Sequence, residues 1–334
     1  MALTHHTGIP RPLNAGCSPR VIISVSNNPF CLGSSVTFTP TITCLETAQI
    51  AAYGWIVNGT IVSASGDPYT TTELTNNDSV HLLVIGTNGI SYFSNVIYMI
   101  VTSEGCITEI KYGLLYNWYA ATDVRKITSS DTWVVPTMEI AEGLRSYIDP
   151  TGNDWVNIAG GKLKEIGDTH WNGNVGATND YNFNARGCGY RQTGGIFNGL
   201  KQTFRLTTST IPMYSNDLDY KYVNASDVTF SINSTSKIAG GPYRLYRDAT
   251  VDEILYCNDG DACAPYTGND GKNYRTVKIG TQVWLADNLA ETKFRNGDYL
   301  HGYEGGSYQA ISNAAWAALE SEGVCCYDND INLI

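Results

Sequence analysis

Between Arg20 and Thr102, apolar and polar residues alternate over short runs: VIISV (21–25), SVTFTPTI (35–42), YGWIVNGTIV (53–62), SVHLLVIG (79–86) and SNVIYMIV (94–101). Period two is the spacing of a half-buried strand, and turn-forming residues separate the runs. An all-β sandwich is therefore predicted over 20–105. Asn58-Gly59 lies between two alternating runs and predicts a two-residue hairpin, because both residues tolerate positive φ. Trp55 falls on the same side as Val57 and is the predicted central core aromatic. The apolar stretch 81–101 is interrupted by Gly86, Asn88, Gly89 and Asn95, so it reads as two strands and not as a bilayer span of about 20 residues.

Beyond the junction 103–111 the period changes. In TMEIAEGLRSYI (137–148) the apolar residues Met138, Ile140, Ala141, Leu144, Tyr147 and Ile148 recur at helical spacing, with Thr137 as N-cap. GGKLKEIG (160–167) is a second, shorter helix candidate, and NAAWAALESEG (313–323) a third. In the third, Asn313 is the expected cap, Trp316, Ala317 and Leu319 the expected inner face, and Gly323 the stop. Strands are expected at NARGCGYR, DVTFSI, PYRLYR, YRTVKIG and TQVWLAD, which makes this half α+β. The stretch 252–272, DEILYCNDGDACAPYTGNDGK, reads as a polar, turn-rich connection.

Several blocks of this half resemble the Fibrobacter succinogenes major paralogous domain, a secreted family with a C-type-lectin-like fold. They are NYRTVKIGTQVWLADNLAETKFRNGD (273–298), YGLLYNWYAAT (112–122), AGGKLKEIGDTHWN (159–172), GATNDYNFNARGCGYR (176–191) and PYRLYRD (242–248). In that family the KIGTQVW block comes first, and a stretch like AAWAALESEGVCCYDND (314–330) runs directly into YGLLYNWYAA. Here the order is inverted, and Ile334 stands where the family would continue into Tyr112. The resemblance implies either a circular permutation or exchange of the terminal segment between chains. In either case 273–334 packs with 112–250 around one core, and the strand holding Val283, Trp284 and Leu285 meets the 112–122 block. The block NPFCLGSSVTFTPTI…YGWIVNG…LTNNDSVHLLV resembles the PKD-like or immunoglobulin-like repeats of Bacteroidetes surface proteins, which serve as spacers and adhesive modules. The expected fold is thus an immunoglobulin-like sandwich (20–105) followed by a permuted C-type-lectin-like domain (106–334).

Composition narrows the function. Charged residues make up only 16% of the chain, with 33 Gly and 22 Tyr, a balance that suits extracellular or virion β modules. The formal net charge of −11 argues against nonspecific attraction to nucleic acid or an anionic membrane. The opening MALTHHTGIPRPLNAGCSPR has no basic stretch leading into an apolar one, so a conventional export signal is not expected. A surface-type chain without such a signal fits a virion component released by lysis. The nine cysteines form no convincing zinc spacing; Cys31 and Cys44 could bridge across one sandwich, a pairing the sequence alone leaves open.

Candidate chemistry is sparse. The five histidines sit in no nucleophile–base or zinc-protease pattern. Cys188 lies in a Gly-rich strand without an evident base, and the paired catalytic cysteines of formylglycine-generating enzymes have no match. Calcium, which many C-type lectins bind, has oxygen-rich candidates at Asp259-Gly260-Asp261, Asn269-Asp270-Gly271 and Asp328-Asn329-Asp330. Their spacing is not that of an EF-hand, and turn formation explains them, so no cofactor is expected and calcium is the minority reading. The segment IPMYSNDLDYKYVNAS (211–226) combines tyrosines with Asp, Asn and Ser, the mixture of adaptable recognition loops. Tyr214, Asn216, Asp217, Asp219, Tyr220 and Tyr222 are its candidate ligand-binding residues. The proline-rich arm 1–19, with His5, His6, Ile9, Pro10, Arg11, Pro12 and Leu13, is the candidate docking peptide.

The expected function is a non-enzymatic structural and adhesive surface protein, foremost a phage head-fibre, decoration or tail-fibre subunit. Its expected partners are other copies of itself, virion or surface-assembly proteins, and a host surface glycan or protein. A bacterial cell-surface adhesin or filament subunit is the alternative, and a formylglycine-generating-like or hydrolytic enzyme the third.

Overall fold

The computed structural model describes residues 18–26, 28, 30–31, 35–102, 110–211 and 217–334. Strand residues outnumber helical ones, 34% to 14%, in many small antiparallel sheets. The chain divides into two compact units, 1–106 and 107–334.

The first unit has two main sheets and a short parallel pair, Phe30–Cys31 with Val101–Thr102. One orders the strands Arg20–Val25, Val36–Thr43 and Tyr69–Thr71. The other orders Thr60–Ser63, Ile50–Val57, Ser79–Gly86 and Ser91–Phe93, with Ile97–Tyr98 also paired to Ser79–Gly86. Burial alternates strictly along Ser79–Gly86, as its sequence requires. Val21, Ile23, Val36 and Phe38 from the first sheet meet Trp55, Val80, Leu82 and Val84 from the second in a single cluster. Each fully buried aliphatic side chain contributes roughly 1.5–3 kcal/mol. Trp55 is fully buried, and its Nε1–H donates to the Asp67 carbonyl at 3.0 Å. The expected hairpin is present, with Asn58 at φ 49° and Gly59 at φ 79°. Cys44 is disulfide-bonded.

The second unit consists of short strands, short helices and long connections. The helix Met138–Ile148 forms as expected, with the Thr137 hydroxyl accepting from the Ile140 N–H at 3.3 Å. The second helix is Ala159–Leu163. The third helix covers only Asn313–Ala317, and its cap is Ser312, whose hydroxyl accepts from the Ala315 N–H. Ser312 and Asn313 are both good caps, and the chain uses the earlier one. Trp316 and Leu319 turn inward, whereas Ala317 is exposed, because the helix ends before a second turn can align it. The 252–272 connection is not all turn, since Val251–Tyr256 is a helix. Thr250 and Glu253 form its capping box, a signal present in the sequence that its polar residues obscured.

The terminal and middle blocks share one core. Leu114 and Tyr116 cluster with Val283, Leu285 and Val324, while Tyr112 clusters with Trp284, Phe183 and Phe204. Tyr246–Asp248, Gln282–Leu285 and Thr276–Ile279 form one three-stranded sheet. Leu115–Tyr116 pairs antiparallel with Val324–Cys325. At the end of the chain, the Lys111 N–H donates to the Ile334 carbonyl and the Tyr112 N–H to that of Leu333, each at 3.2 Å. The C-terminal residues therefore lie beside the start of the 112–122 block.

Long cationic side chains support this irregular backbone. Lys164 is fully buried, and its ammonium donates to the carbonyls of Val175, Asn224, Ala225 and Asp227 at 2.7–3.3 Å. Arg244, 1% exposed, reaches the carbonyls of Phe183, Asn184 and Leu285 and the Asn288 side chain. Arg191 donates to the carbonyls of Gly195 and Ile311. Loop carbonyls without a ladder partner need such donors once water is excluded.

Candidate functional site

A cavity of about 310 Å³ opens in the second unit beside the helix Trp118–Thr122. Asn117 caps that helix through its side-chain oxygen, which accepts from the Ala120 N–H. The chain then turns outward at Asp123 and passes Lys126 in a left-handed conformation, φ 63°. It returns at Val134, which pairs with Tyr246. Trp118 draws the far wall in, its Nε1–H donating to the Ser209 carbonyl at 3.0 Å. The lining includes the hydroxyl residues Thr122, Thr128 and Ser209, the charged Asp123, Lys126 and Asp131, and Trp133.

Charge in this pocket is partly committed. Arg125 grips Asp123 through two nitrogens at 2.8–2.9 Å and lowers its pKa. Hydrogen bonding by Arg295 likewise lowers the pKa of Asp131, although the Asp131 side chain is 86% exposed. Trp133 is buried against Tyr266, with ring centroids 5.2 Å apart. Such a lining can hydrogen-bond a polar ligand through hydroxyls, one accessible carboxylate and one ammonium.

The Tyr-rich segment adjoins the pocket through 207–210: Ser209 lines the cavity, and the Thr208 hydroxyl donates to the Asp219 carbonyl at 2.7 Å. From Asp217 onward this segment is not the expected loop. Asp217–Asn224 is the middle strand of a sheet, between Thr203–Thr207 and Ser231–Ser236. Its side chains therefore alternate between two faces. Tyr220 is buried, at 6% exposure, whereas Tyr222 is half-buried. Asp219 is engaged by the Ser234 hydroxyl at 2.6 Å, and Asp217 is half-buried. Tyr214 and Asn216 lie outside the described residues. So do His5, His6, Ile9, Pro10, Arg11, Pro12 and Leu13.

The pocket itself escaped the sequence reading, because its walls come from 121–135 and from Ser209. Lys221 was also missed: fully buried, it is bound by Glu142 at 2.6 Å and by Asp154. The Lys within DYKYV was its only signal.

Other flagged residues make contacts within the fold. His170 Nδ1 lies 2.6 Å from Glu165, and its ring stands edge-on to Tyr112. Burial pushes the Cys188 thiol up to about 11. Asp259 binds Lys278 and the Tyr147 hydroxyl, Asp270 binds Lys272 and Thr292, and Asp330 caps Asn332. Among the described residues, no group of three or more His, Cys, Asp or Glu is placed to hold a metal ion. Likewise, no described helix is long and apolar enough to cross a membrane. No known protein family and no curated protein matches this sequence.

Proposed function

We propose that this chain is a non-enzymatic structural and adhesive surface protein, foremost a phage head-fibre, decoration or tail-fibre subunit. In this reading an immunoglobulin-like sandwich is followed by a circularly permuted C-type-lectin-like unit that attaches to a host surface glycan. The observation that carries it is the seam at Ile334. Hydrogen bonds from Lys111 and Tyr112 to Ile334 and Leu333 bridge the family's expected continuation into Tyr112, as a shared core requires. The cavity's hydroxyls, with the exposed Asp131 carboxylate and Lys126, support attachment, since a few convergent polar groups can orient a sugar. The arm 1–19 is the proposed docking peptide onto the particle.

The test is whether the full chain is found by mass in purified particles and whether it binds host cells and a glycan array. Asp131→Ala, at an exposed pocket position, is expected to weaken glycan binding several-fold without altering the melt. Deleting residues 2–19 is expected to abolish incorporation and leave glycan binding intact. A chain absent from particles that also binds no host surface would overturn the proposal.

One observation favours the runner-up, a bacterial cell-surface adhesin or filament subunit. The disulfide at Cys44 belongs to oxidising compartments. Detection on intact bacteria in the absence of phage would select that reading.

A further inference from the structure

Arg205 differs from the other buried arginines of its unit. Arg145, Arg186, Arg191 and Arg244 each donate to backbone carbonyls at several points. Arg205 is just as buried, at 7% exposure, yet no carboxylate or backbone carbonyl accepts from its guanidinium among the described residues. Its Nε is buried without a partner. Aromatic faces surround it instead: the guanidinium carbon lies 3.3 Å from the Tyr190 ring centroid and 4.3 Å from that of Tyr220. Its polar neighbour is the Tyr190 phenol, and burial lowers its pKa.

Strand geometry explains the setting. Phe204 and Leu206 enter the core, so period two sends Arg205 and Thr207 to the opposite face. There Arg205 is paired with Tyr222 and Thr207 with Tyr220. The Thr207 hydroxyl is also buried and unpartnered. Tyr222 stands 6.0 Å from Tyr220, centroid to centroid, and keeps part of its ring accessible. Around this patch lie Asn224, Asn233 and Thr203, neutral hydrogen-bonding groups with no competing carboxylate among them. Where a guanidinium stacks on aromatic faces, its edge is left to match a planar carboxylate through two parallel bonds. Unsatisfied buried donors are rare, and each calls for a partner or a structural reason.

We propose that Arg205, clasped by Tyr190 and Tyr220, binds the carboxylate of an acidic sugar, with Tyr222 packing against the sugar ring. This rests on the glycan-attachment reading and narrows it to uronic or sialic acids. The neutral rim and the half-open tyrosine favour a sugar over an acidic peptide, because ring hydroxyls find partners there and an apolar sugar face finds Tyr222.

The test uses the full chain and methyl glucuronide, its methyl ester, methyl glucoside and N-acetylneuraminic acid, followed by ligand-observed NMR and calorimetry. Glucuronide or neuraminic acid should bind at least tenfold more tightly than the ester and the glucoside. Arg205→Lys should lose about tenfold, because an ammonium cannot make the paired contact. Tyr222→Ala should lose several-fold for the acidic sugar. If Arg205→Lys fails to fold, the ester comparison on the unaltered chain and Tyr222→Ala decide the matter. Equal binding of acid and ester would overturn the site while leaving attachment to neutral glycans standing. Acetate or an acidic peptide binding as tightly as the sugars would make Arg205 a general carboxylate receptor and overturn the sugar assignment. If none of the probes binds, the acidic-sugar site is wrong, and the wider reading then depends on the host-cell and array results.

Discussion

Among its described residues, the 1–106 unit buries one polar side chain, Ser94, whereas the 107–334 unit buries Lys164, Arg191, Lys221, Arg244, Asp287 and Glu291. The two solve the same problem differently. In the first, eight-residue strands such as Ile50–Val57 and Ser79–Gly86 pair their own backbone groups, so an apolar filling suffices. In the second, strands are often only two to four residues long, and the loops between them carry carbonyls that no ladder reaches. Cationic side chains from distant positions supply the missing donors. A net-negative chain that concentrates its long cations inside is using them as struts, and unit-specific perturbations should reveal this.

The largest effect is expected from Arg244→Met. It leaves three carbonyls and Asn288 without their donor and should cost at least about 4 kcal/mol, since a broken buried polar network is far costlier than one exposed bond. Calorimetry should show the 107–334 transition lowered or lost while that of 1–106 persists. Loss of both together would mean that the units do not melt independently. Trp55→Ala is the mirror experiment and should lower only the first unit's transition by about 3–5 kcal/mol.

Acid should separate the units more gently. Burial opposes ionisation of Glu142, yet Arg145 and Lys221 hold its pKa down to about 2. Burial likewise opposes ionisation of Glu253, which the Arg247 fork and the Thr250 N–H bring to about 2. Both folded-state values lie below the unfolded value of 4.5, so this stabilisation is present above pH 4.5 and is lost as pH falls towards 2. Each pair is partly exposed and worth about 1 kcal/mol, so the second transition should fall by roughly 4–8 °C. The first unit has no ion pair among its described residues and should follow pH less closely. The smallest effect is expected from Gly59→Ala, which forces φ near +79° on a residue with a Cβ and should cost about 1 kcal/mol, in the first unit alone. A larger loss would mean that the hairpin turn governs the whole sheet.

The contrast between the units also explains what could be read in advance. The hairpin at Asn58-Gly59, the buried Trp55 and the helix Met138–Ile148 rest on signals only a few residues apart, and all are present. The strand Asp217–Asn224 was legible as Tyr-rich but not as a strand, because Asp and Asn favour turns and its partners had to be found elsewhere in the chain. The helix Val251–Tyr256 was missed although its capping box was visible. A short helix has too little periodicity to stand out from a polar connection.

By itself, the sequence determined the local matters: alternation, turn chemistry and the change from strand to helical period in the second half. Side-chain period and capping act over a few residues and are written where they act. Only the tertiary structure decided that Ile334 lies against Lys111, that Ser209 closes a cavity begun at Ala121, and that Arg205 meets Tyr190 and Tyr220. Those meetings depend on register and on the packing of distant segments. One residue of slip would turn Arg205 into the core and Phe204 out of it, a choice set by the energy of the whole assembly.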